Sequence, residues 1–178
     1  MSRSMHPGGL RLTDRAARLA GVFAGARVLD LGCGDGATAA FLTEKFSAEV
    51  TGVDSAARGV GFVRADAASA PFEDNAFDFV FLECVLSVTD DPARVLSEAR
   101  RVLRGGGKLI LSDVYAKKPG GALWDGDTLR RLVETAGFTL ALSEDHTPAL
   151  VTFAAEQLRG GAGLGYLLVI GTRDFSTT

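Results

Sequence analysis

The chain of 178 residues is long enough for one domain with a hydrophobic core and too short for two ordinary ones. No apolar run is long enough to cross a bilayer, and residues 1–9 lack the apolar stretch of a signal peptide, so a cytoplasmic protein is expected. A formal net charge of −3 with scattered basic residues argues against nucleic acid, and two isolated cysteines argue against a disulfide framework or a zinc site.

The first half of the chain alternates between predicted helices and strands. A helix is expected over residues 12–21, "LTDRAARLAG", with Thr13 as its N-cap and Gly21 at its end. The short apolar run "RVLDL" suits a strand that is buried on both faces. A glycine turn, the helix "ATAAFLTEKF" and the strands "EVTGVD" and "VGFVRAD" follow it.

The second half continues this alternation. The strand "AFDFVFLECVL" is the most apolar and is expected at the centre of the sheet. The next helix, "DDPARVLSEARRVLRGGG", has Asp91 as a cap, Pro92 in its first turn and Gly105 to Gly107 closing it. The strand "KLILSDVY", the helix "GDTLRRLVETAG", the strand "FTLALSE", the helix "PALVTFAAEQLRG" and the strand "GYLLVIGTR" complete the chain. The pattern predicts an α/β sheet that is parallel over at least its first five strands.

The turn between the first strand and its helix carries Gly32, Gly34 and Gly36. Without Cβ atoms, such a turn lets backbone N–H groups approach a ligand closely. A dinucleotide would place its pyrophosphate there, whereas S-adenosylmethionine would place its methionine and ribose. Both ligands have ribose hydroxyls that suit Asp54, at the end of the second strand. The loop alone leaves the two ligands open.

Carboxylates around the loop favour the second ligand. Asp30 precedes the turn, where it can hold loop N–H groups or reach a cationic amine, and where it would be poorly placed beside a pyrophosphate. Asp66 ends the third strand and can accept a hydrogen bond from an adenine amine. The segment "RVLRGGGKLILSD" then leads a helix through glycines into the fifth strand.

Together these residues resemble the class I S-adenosylmethionine-dependent methyltransferases, and the small single-domain members related to ubiquinone and menaquinone C-methyltransferases look closest. The resemblance runs from Arg27 to Asp113 and more loosely to Arg173. It implies a Rossmann-like seven-stranded sheet, parallel with a C-terminal antiparallel strand. It also implies one domain over residues 1–178, in which the N-terminal segment and leading helix, 1–21, can cover the active site.

The resemblance implies methyl transfer from S-adenosylmethionine to a small molecule, through an oxygen or carbon acceptor, with S-adenosylhomocysteine as product and no metal. The glycines would approach the methionine and ribose, Asp30 would secure the loop, and Asp54 would take the ribose hydroxyls. Asp66 and Ala67 would meet the adenine edge. Leu82 and Glu83 would meet the amino-acid end. The implied cofactor-binding residues are Asp30, Gly32, Cys33, Gly34, Gly36, Asp54, Ser55, Asp66, Ala67, Leu82 and Glu83.

Four residues are candidates for catalysis, although a base is needed only for a hydroxyl, ammonium or acidic-carbon acceptor. His6 lies in a segment that can fold over the pocket and is the best-placed imidazole. Glu83 follows an apolar strand and would hold the cofactor amine or cap the next turn. Asp113 and Tyr115 leave the fifth strand on the acceptor side. Cys84 is expected to be a small buried residue and not a nucleophile.

Two departures from the family pattern keep other functions open. Only "SAARG" separates Asp54 from the third strand, where a parallel crossover normally needs a dozen residues, so a shortened crossover and an open adenine pocket are expected. The helix at "PALVTFAAEQLRG" replaces a simple hairpin and is expected to pack on the sheet.

The alternatives are a non-catalytic protein that binds S-adenosylmethionine or S-adenosylhomocysteine, and an NAD(P)-dependent oxidoreductase. The oxidoreductase is disfavoured because no Tyr-Lys pair has suitable spacing. The expected partner is a small-molecule substrate, with no nucleic acid and no membrane, and the protein is expected to be a monomer or homodimer. The sequence leaves the acceptor open.

Overall fold

The computed structural model describes residues 6–56, 61–118, 123–157 and 163–175. The helices within these ranges are α1 (Gly9–Ala20), α2 (Ala37–Phe46), α3 (Pro92–Val102), α4 (Gly126–Thr135) and α5 (Thr147–Glu156). The strands are β1 (Arg27–Leu31), β2 (Glu49–Asp54), β3 (Phe62–Arg64), β4 (Phe77–Glu83), β5 (Leu103–Ala116), β6 (Phe138–Asp145) and β7 (Leu164–Arg173). A short 3₁₀ turn, Leu86–Val88, follows β4.

The seven strands form one sheet in the order β3-β2-β1-β4-β5-β7-β6. The pairs from β3 to β5 are parallel, and β7 runs antiparallel to both of its neighbours. This arrangement confirms the predicted α/β sheet with its C-terminal antiparallel strand. The strand order reverses between β1 and β4, and ligands of such sheets bind beyond the carboxyl ends of the strands at that point.

Two hydrophobic clusters cover the two faces of the sheet. Successive residues of β4 alternate between them, because side chains of a strand point to opposite faces. Phe79 and Phe81 belong to the cluster under α1, α2 and α5, whereas Val80 and Leu82 belong to the cluster under α3 and α4. β4 is therefore buried on both sides, as its apolar sequence predicts. Leu150 anchors α5 to its cluster, which confirms that this helix packs on the sheet.

Two predicted element ends are wrong. α1 begins at Gly9 with Gly8 as its N-cap, at φ 81°, so Thr13 lies inside the helix and does not cap it. α3 does have Asp91 as its cap but ends at Val102. The glycines at 105–107 then lie within β5, next to an irregularity in its pairing with β4, and do not close the helix.

The predicted strands 60–66 and 76–86 are shorter in the structure. β3 covers only Phe62–Arg64, and residue 60 lies outside the described residues. β4 stops at Glu83 because the next residue, Cys84, adopts a left-handed φ of 57° that breaks the strand.

The connection from β2 to β3 is short because β3 pairs only with the last three residues of β2. Gly52 lies opposite Phe62 and Asp54 lies opposite Arg64. The chain that leaves Asp54 therefore returns by only two strand residues, which is about 7 Å. Residues 55–61 suffice for this return, although 57–60 lie outside the described residues. The described part of the connection contains no helix, as expected for a shortened crossover.

The ring of Phe62 fills a notch between two glycines. A Cβ on Gly36 would overlap the ring, and a Cβ on Gly52 would lie 2.6 Å from Phe62 Cδ1. Gly36 also has a φ of 81°, which side-chain-bearing residues rarely adopt. The turn into α2 therefore needs glycine for its backbone conformation and for its contact with β3.

Gly36→Ala is expected to destabilise the ligand-free protein more than Gly25→Ala. Both positions have a left-handed φ, which costs alanine about 1–2 kcal/mol. A Cβ on Gly25 would meet no described atom within 4 Å, whereas the clash with Phe62 adds about 1–3 kcal/mol at Gly36. Urea unfolding measures the loss of stability in each alanine variant. In a Phe62→Leu background, the difference between the two losses should be smaller. Equal losses for the two alanine variants would contradict the packing argument.

Candidate functional site

A cavity of about 220 Å³ lies at the point where the strand order reverses. Its walls come from the N-terminal segment, the end of β1, the glycine loop, the start of α2 and the end of β4. The lining residues are His6, Asp30, Gly32, Cys33, Gly34, Asp35, Ala37, Thr38, Glu83 and Cys84.

The glycine loop is held by the end of β2. The N–H groups of Gly32 and Cys33 donate to the Val53 carbonyl at 2.7 and 2.9 Å. The Gly34 N–H donates to Asp54 Oδ2 at 3.0 Å. These bonds fix the loop without any side chain above it, because a Cβ on Gly34 would meet no described atom within 4 Å.

Asp30 lies at the end of β1, next to the glycine loop. The loop N–H groups of Gly32, Cys33, Gly34 and Gly36 donate to Val53, Asp54 and Cys33 and not to Asp30. Its side chain is 2% exposed, and Oδ2 has no hydrogen-bond partner among the described residues. Burial, with the nearby Glu83 carboxylate second, raises the pKa of Asp30 well above its ordinary value. A residue that lines the cavity therefore carries a buried carboxyl oxygen that lacks a donor.

Glu83 joins three elements at the end of β4. Its side chain is 7% exposed. Oε1 accepts a hydrogen bond from the Thr13 hydroxyl at 2.9 Å, and Oε2 accepts one from the Thr38 hydroxyl at 2.5 Å. His6 Nε2 lies 3.2 Å from Oε2. A buried carboxylate needs such donors, so Glu83 fixes α1, α2 and the N-terminal segment around the cavity.

His6 is buried and lies in the cavity wall. Nδ1 is 3.1 Å from the Pro7 carbonyl, and Nε2 lies 3.3 Å from Thr13 Oγ1 and 3.2 Å from Glu83. The Thr13 hydroxyl already donates its proton to Glu83. The Pro7 carbonyl and the Glu83 carboxylate, which lie next to Nδ1 and Nε2, can only accept hydrogen bonds.

Four of the predicted cofactor residues lie outside the cavity, along the edge towards β3. Asp54 Oδ1 accepts the Ala56 N–H at 2.8 Å, and Ser55 is exposed. Asp66 is exposed and its Oδ1 accepts an N–H group at 2.9 Å, while Ala67 is half-buried. Asp54 and Asp66 thus each accept a hydrogen bond from the backbone N–H group two residues later.

Leu82 and Gly36 are also outside the cavity lining. Leu82 is fully buried in the cluster under α3 and α4, and Gly36 caps α2. Their positions in the structure are those of a core residue and a turn residue.

Asp113 and Tyr115, the two catalytic candidates on β5, do not line the cavity. Asp113 is fully buried, and Oδ2 accepts the N–H groups of Leu86 and Ser87 at 2.8 and 3.2 Å. Burial raises the pKa of Asp113, and the Ser87 hydroxyl opposes that rise. The Tyr115 hydroxyl donates to Asp145 Oδ2 at 2.8 Å. Asp113 therefore stabilises the turn after β4, and Tyr115 ties β5 to the end of β6.

Sequence reasoning missed Thr13 and Thr38 as functional neighbours of Glu83. The buried face of α1 consists of alanines and a leucine apart from Thr13. A single buried hydroxyl on such a face indicates a polar partner. Thr38 lies in the first turn of α2, directly after the glycine loop, where side chains can reach the ends of β1 and β4.

The described residues contain neither a membrane-spanning helix nor a metal-binding cluster. No helix there combines the length and the apolar character that crossing a bilayer requires. No group of three or more His, Cys, Asp and Glu side chains in the same ranges could hold a metal ion.

Residues 29–111 match the protein family described as Methyltransferase domain. Phosphoethanolamine N-methyltransferase 1 of Arabidopsis thaliana is 27% identical over 179 residues, covering 85% of this chain and 36% of that protein. The 27-O-demethylrifamycin SV methyltransferase of Amycolatopsis mediterranei is 31% identical over 160 residues, covering 80% of this chain and 59% of that protein. The chain therefore spans about a third of the first relative and about three fifths of the second.

A solved structure shows the same fold. Haemonchus contortus phosphoethanolamine N-methyltransferase 2, in complex with phosphomonomethylethanolamine and S-adenosylhomocysteine, superposes with a TM-score of 0.81. The match covers 98% of this chain and 55% of that chain at 17% identity. At that identity the likeness concerns the fold.

Both cysteine thiols are expected to react slowly in the native protein. Burial raises the pKa of Cys33 and of Cys84 to about 12, so little thiolate is present between pH 7 and 9. We expect reaction with a disulfide reagent at pH 8 to be at least about 100-fold slower than in the urea-unfolded chain. Rapid native labelling of either thiol at pH 8 would contradict this assignment.

Asp30→Asn is expected to raise the melting temperature of the ligand-free protein at pH 8. Because the pKa of Asp30 is raised in the folded state, its contribution to stability is greatest below the unfolded pKa and declines as pH rises through the folded pKa. The asparagine does not titrate and removes that decline. Scanning calorimetry from pH 5 to 8 tests this, with the exposed Glu134→Gln as control. A lower melting temperature at every pH would show that the charged form is stabilising.

Proposed function

Because the chain belongs to the class I S-adenosylmethionine-dependent methyltransferases, we propose that it transfers a methyl group from S-adenosylmethionine to a small organic acceptor, through oxygen or carbon. The observation that carries the proposal is the Asp30 oxygen that lacks a donor, beside an open glycine loop. An ammonium group would satisfy this oxygen, and a pyrophosphate would be repelled by it.

The residues of this chain fit the cofactor at three places. Asp30 would receive the ammonium of the methionine part, next to Gly32 and Gly34. Asp54 would receive the ribose hydroxyls, because each of its oxygens accepts one N–H group and keeps a second acceptor position. Asp66 would meet the adenine from the end of β3.

S-Adenosylmethionine supplies, when bound, a methyl carbon that its sulfonium group already activates. The chain then has to position the acceptor and keep water away. The buried side chains of His6, Thr38 and Glu83 form part of the cavity wall.

His6 is the proposed base for a hydroxyl acceptor. Glu83 already accepts hydrogen bonds from two hydroxyl groups, and Asp113 accepts hydrogen bonds from backbone N–H groups. The His6 ring can accept a proton only if one nitrogen exchanges its present contact with Glu83 or Pro7 for the acceptor. Approach of the acceptor would thus replace one of these two contacts of His6.

The second candidate is a protein that binds the cofactor without turnover. The short connection after Asp54 favours it, since only the seven residues 55–61 separate β2 from β3. Formation of S-adenosylhomocysteine with any acceptor distinguishes catalysis from binding alone.

Titration calorimetry tests the proposed cofactor. We expect S-adenosylmethionine and S-adenosylhomocysteine to bind with dissociation constants of about 1–100 µM and NAD(H) not to bind. Asp30→Asn should weaken both cofactors about 10- to 100-fold, because it removes a charged hydrogen bond. Asp54→Ala should weaken them similarly, and the exposed control Asp127→Asn should not. Unchanged binding in Asp30→Asn, or binding of NAD(H) alone, would refute the assignment.

A further inference from the structure

A second cavity, of about 710 Å³, lies beside the first. It forms a groove between the start of α1 and one face of α5. His6 lies in the walls of both cavities. The volume falls within the range of sites that bind drug-sized molecules. The lining residues are His6, Gly8, Gly9, Leu10, Arg11, Leu12, Arg15, His146, Ala149, Thr152, Phe153, Glu156 and Gln157.

The helices make this groove elongated. α1 and its cap contribute residues 8–15, and α5 with its flanking residues contributes 146–157. With a rise of 1.5 Å per residue, these walls are roughly 10 and 16 Å long. Ala149 and Phe153 line the groove at helical spacing, while Leu150 and Ala154 are buried on a neighbouring face of α5.

The charges along the groove differ in their partners. Arg15 donates to both oxygens of Glu144 at 2.7 and 3.0 Å, and this guanidinium lowers the pKa of Glu144 to about 2. His146 lies 2.9 Å from the same carboxylate. Arg11 is exposed, and its side chain forms no hydrogen bond or ion pair with a described residue. Glu156, on the α5 wall of the groove, is already engaged in another interaction. Arg11 is thus the cation available to a ligand.

We infer that this groove binds the methyl acceptor and that the acceptor is an elongated hydroxylated organic anion. The inference rests on the proposed function, since it places the acceptor hydroxyl at His6, the residue common to both cavities. The apolar body lies along Phe153 and Ala149, and a carboxylate or phosphate lies at Arg11.

The test uses binding to the protein saturated with S-adenosylhomocysteine, so that no turnover is needed. The probes are 4-hydroxybenzoate, 4-hydroxycinnamate and 12-hydroxydodecanoate, each paired with its neutral amide. We expect at least one acid to bind about tenfold or more tightly than its amide, since a charged pair is added. Arg11→Gln should remove that preference, and Arg94→Gln, an exposed arginine on α3, should keep it.

A second pair of variants tests the location. Ala149→Trp places a large ring in the groove and should abolish binding of the acid and its amide, whereas Val151→Trp, on an exposed position of the same helix, should not. The inference is overturned if no acid binds, if acids and amides bind equally, or if Ala149→Trp leaves binding intact. Failure of S-adenosylhomocysteine itself to bind would instead refute the proposed cofactor.

Discussion

The buried carboxylate of Glu83 is the interaction on which the arrangement of the site depends. A charge withdrawn from water is costly unless hydrogen-bond donors replace the lost hydration. Here the donors come from α1 through Thr13 and from α2 through Thr38, with the imidazole of His6 alongside. Two helices and the N-terminal segment therefore have to meet at the end of β4, and the walls of both cavities follow from that meeting.

Local patterns were sufficient for the elements around the glycine loop. The bounds of β1, α2 and β2 agree with the sequence prediction because an apolar run, a glycine turn and a second apolar run specify them over short distances. Thr13 was misassigned because its hydroxyl partner, Glu83, is 70 residues away along the chain. A cap and a buried donor look alike in sequence, and only tertiary contacts separate them.

The roles of Asp30 and Asp54 show a similar limit. The sequence places both carboxylates at strand ends next to the loop, and the parallel register sets Asp30 opposite Gly52. Which of them accepts the Gly34 N–H depends on side-chain directions that spacing does not fix. The connection from β2 to β3 needs fewer than the usual dozen residues, because that number assumes that both strands pair over their full length. β3 pairs with only three residues of β2. The ring of Phe62, the first residue of β3, packs against Gly36 and Gly52.

The brevity of β3 also affects how molecules of this chain meet one another in solution. An edge strand exposes unpaired backbone groups that can recruit a strand from a neighbour, and short or charged edges suppress this. β3 offers three residues ending in the exposed Arg64, and the opposite edge, β6, is interrupted by a pairing irregularity between Leu140 and Leu142. Neither edge is a good template for intermolecular sheet growth.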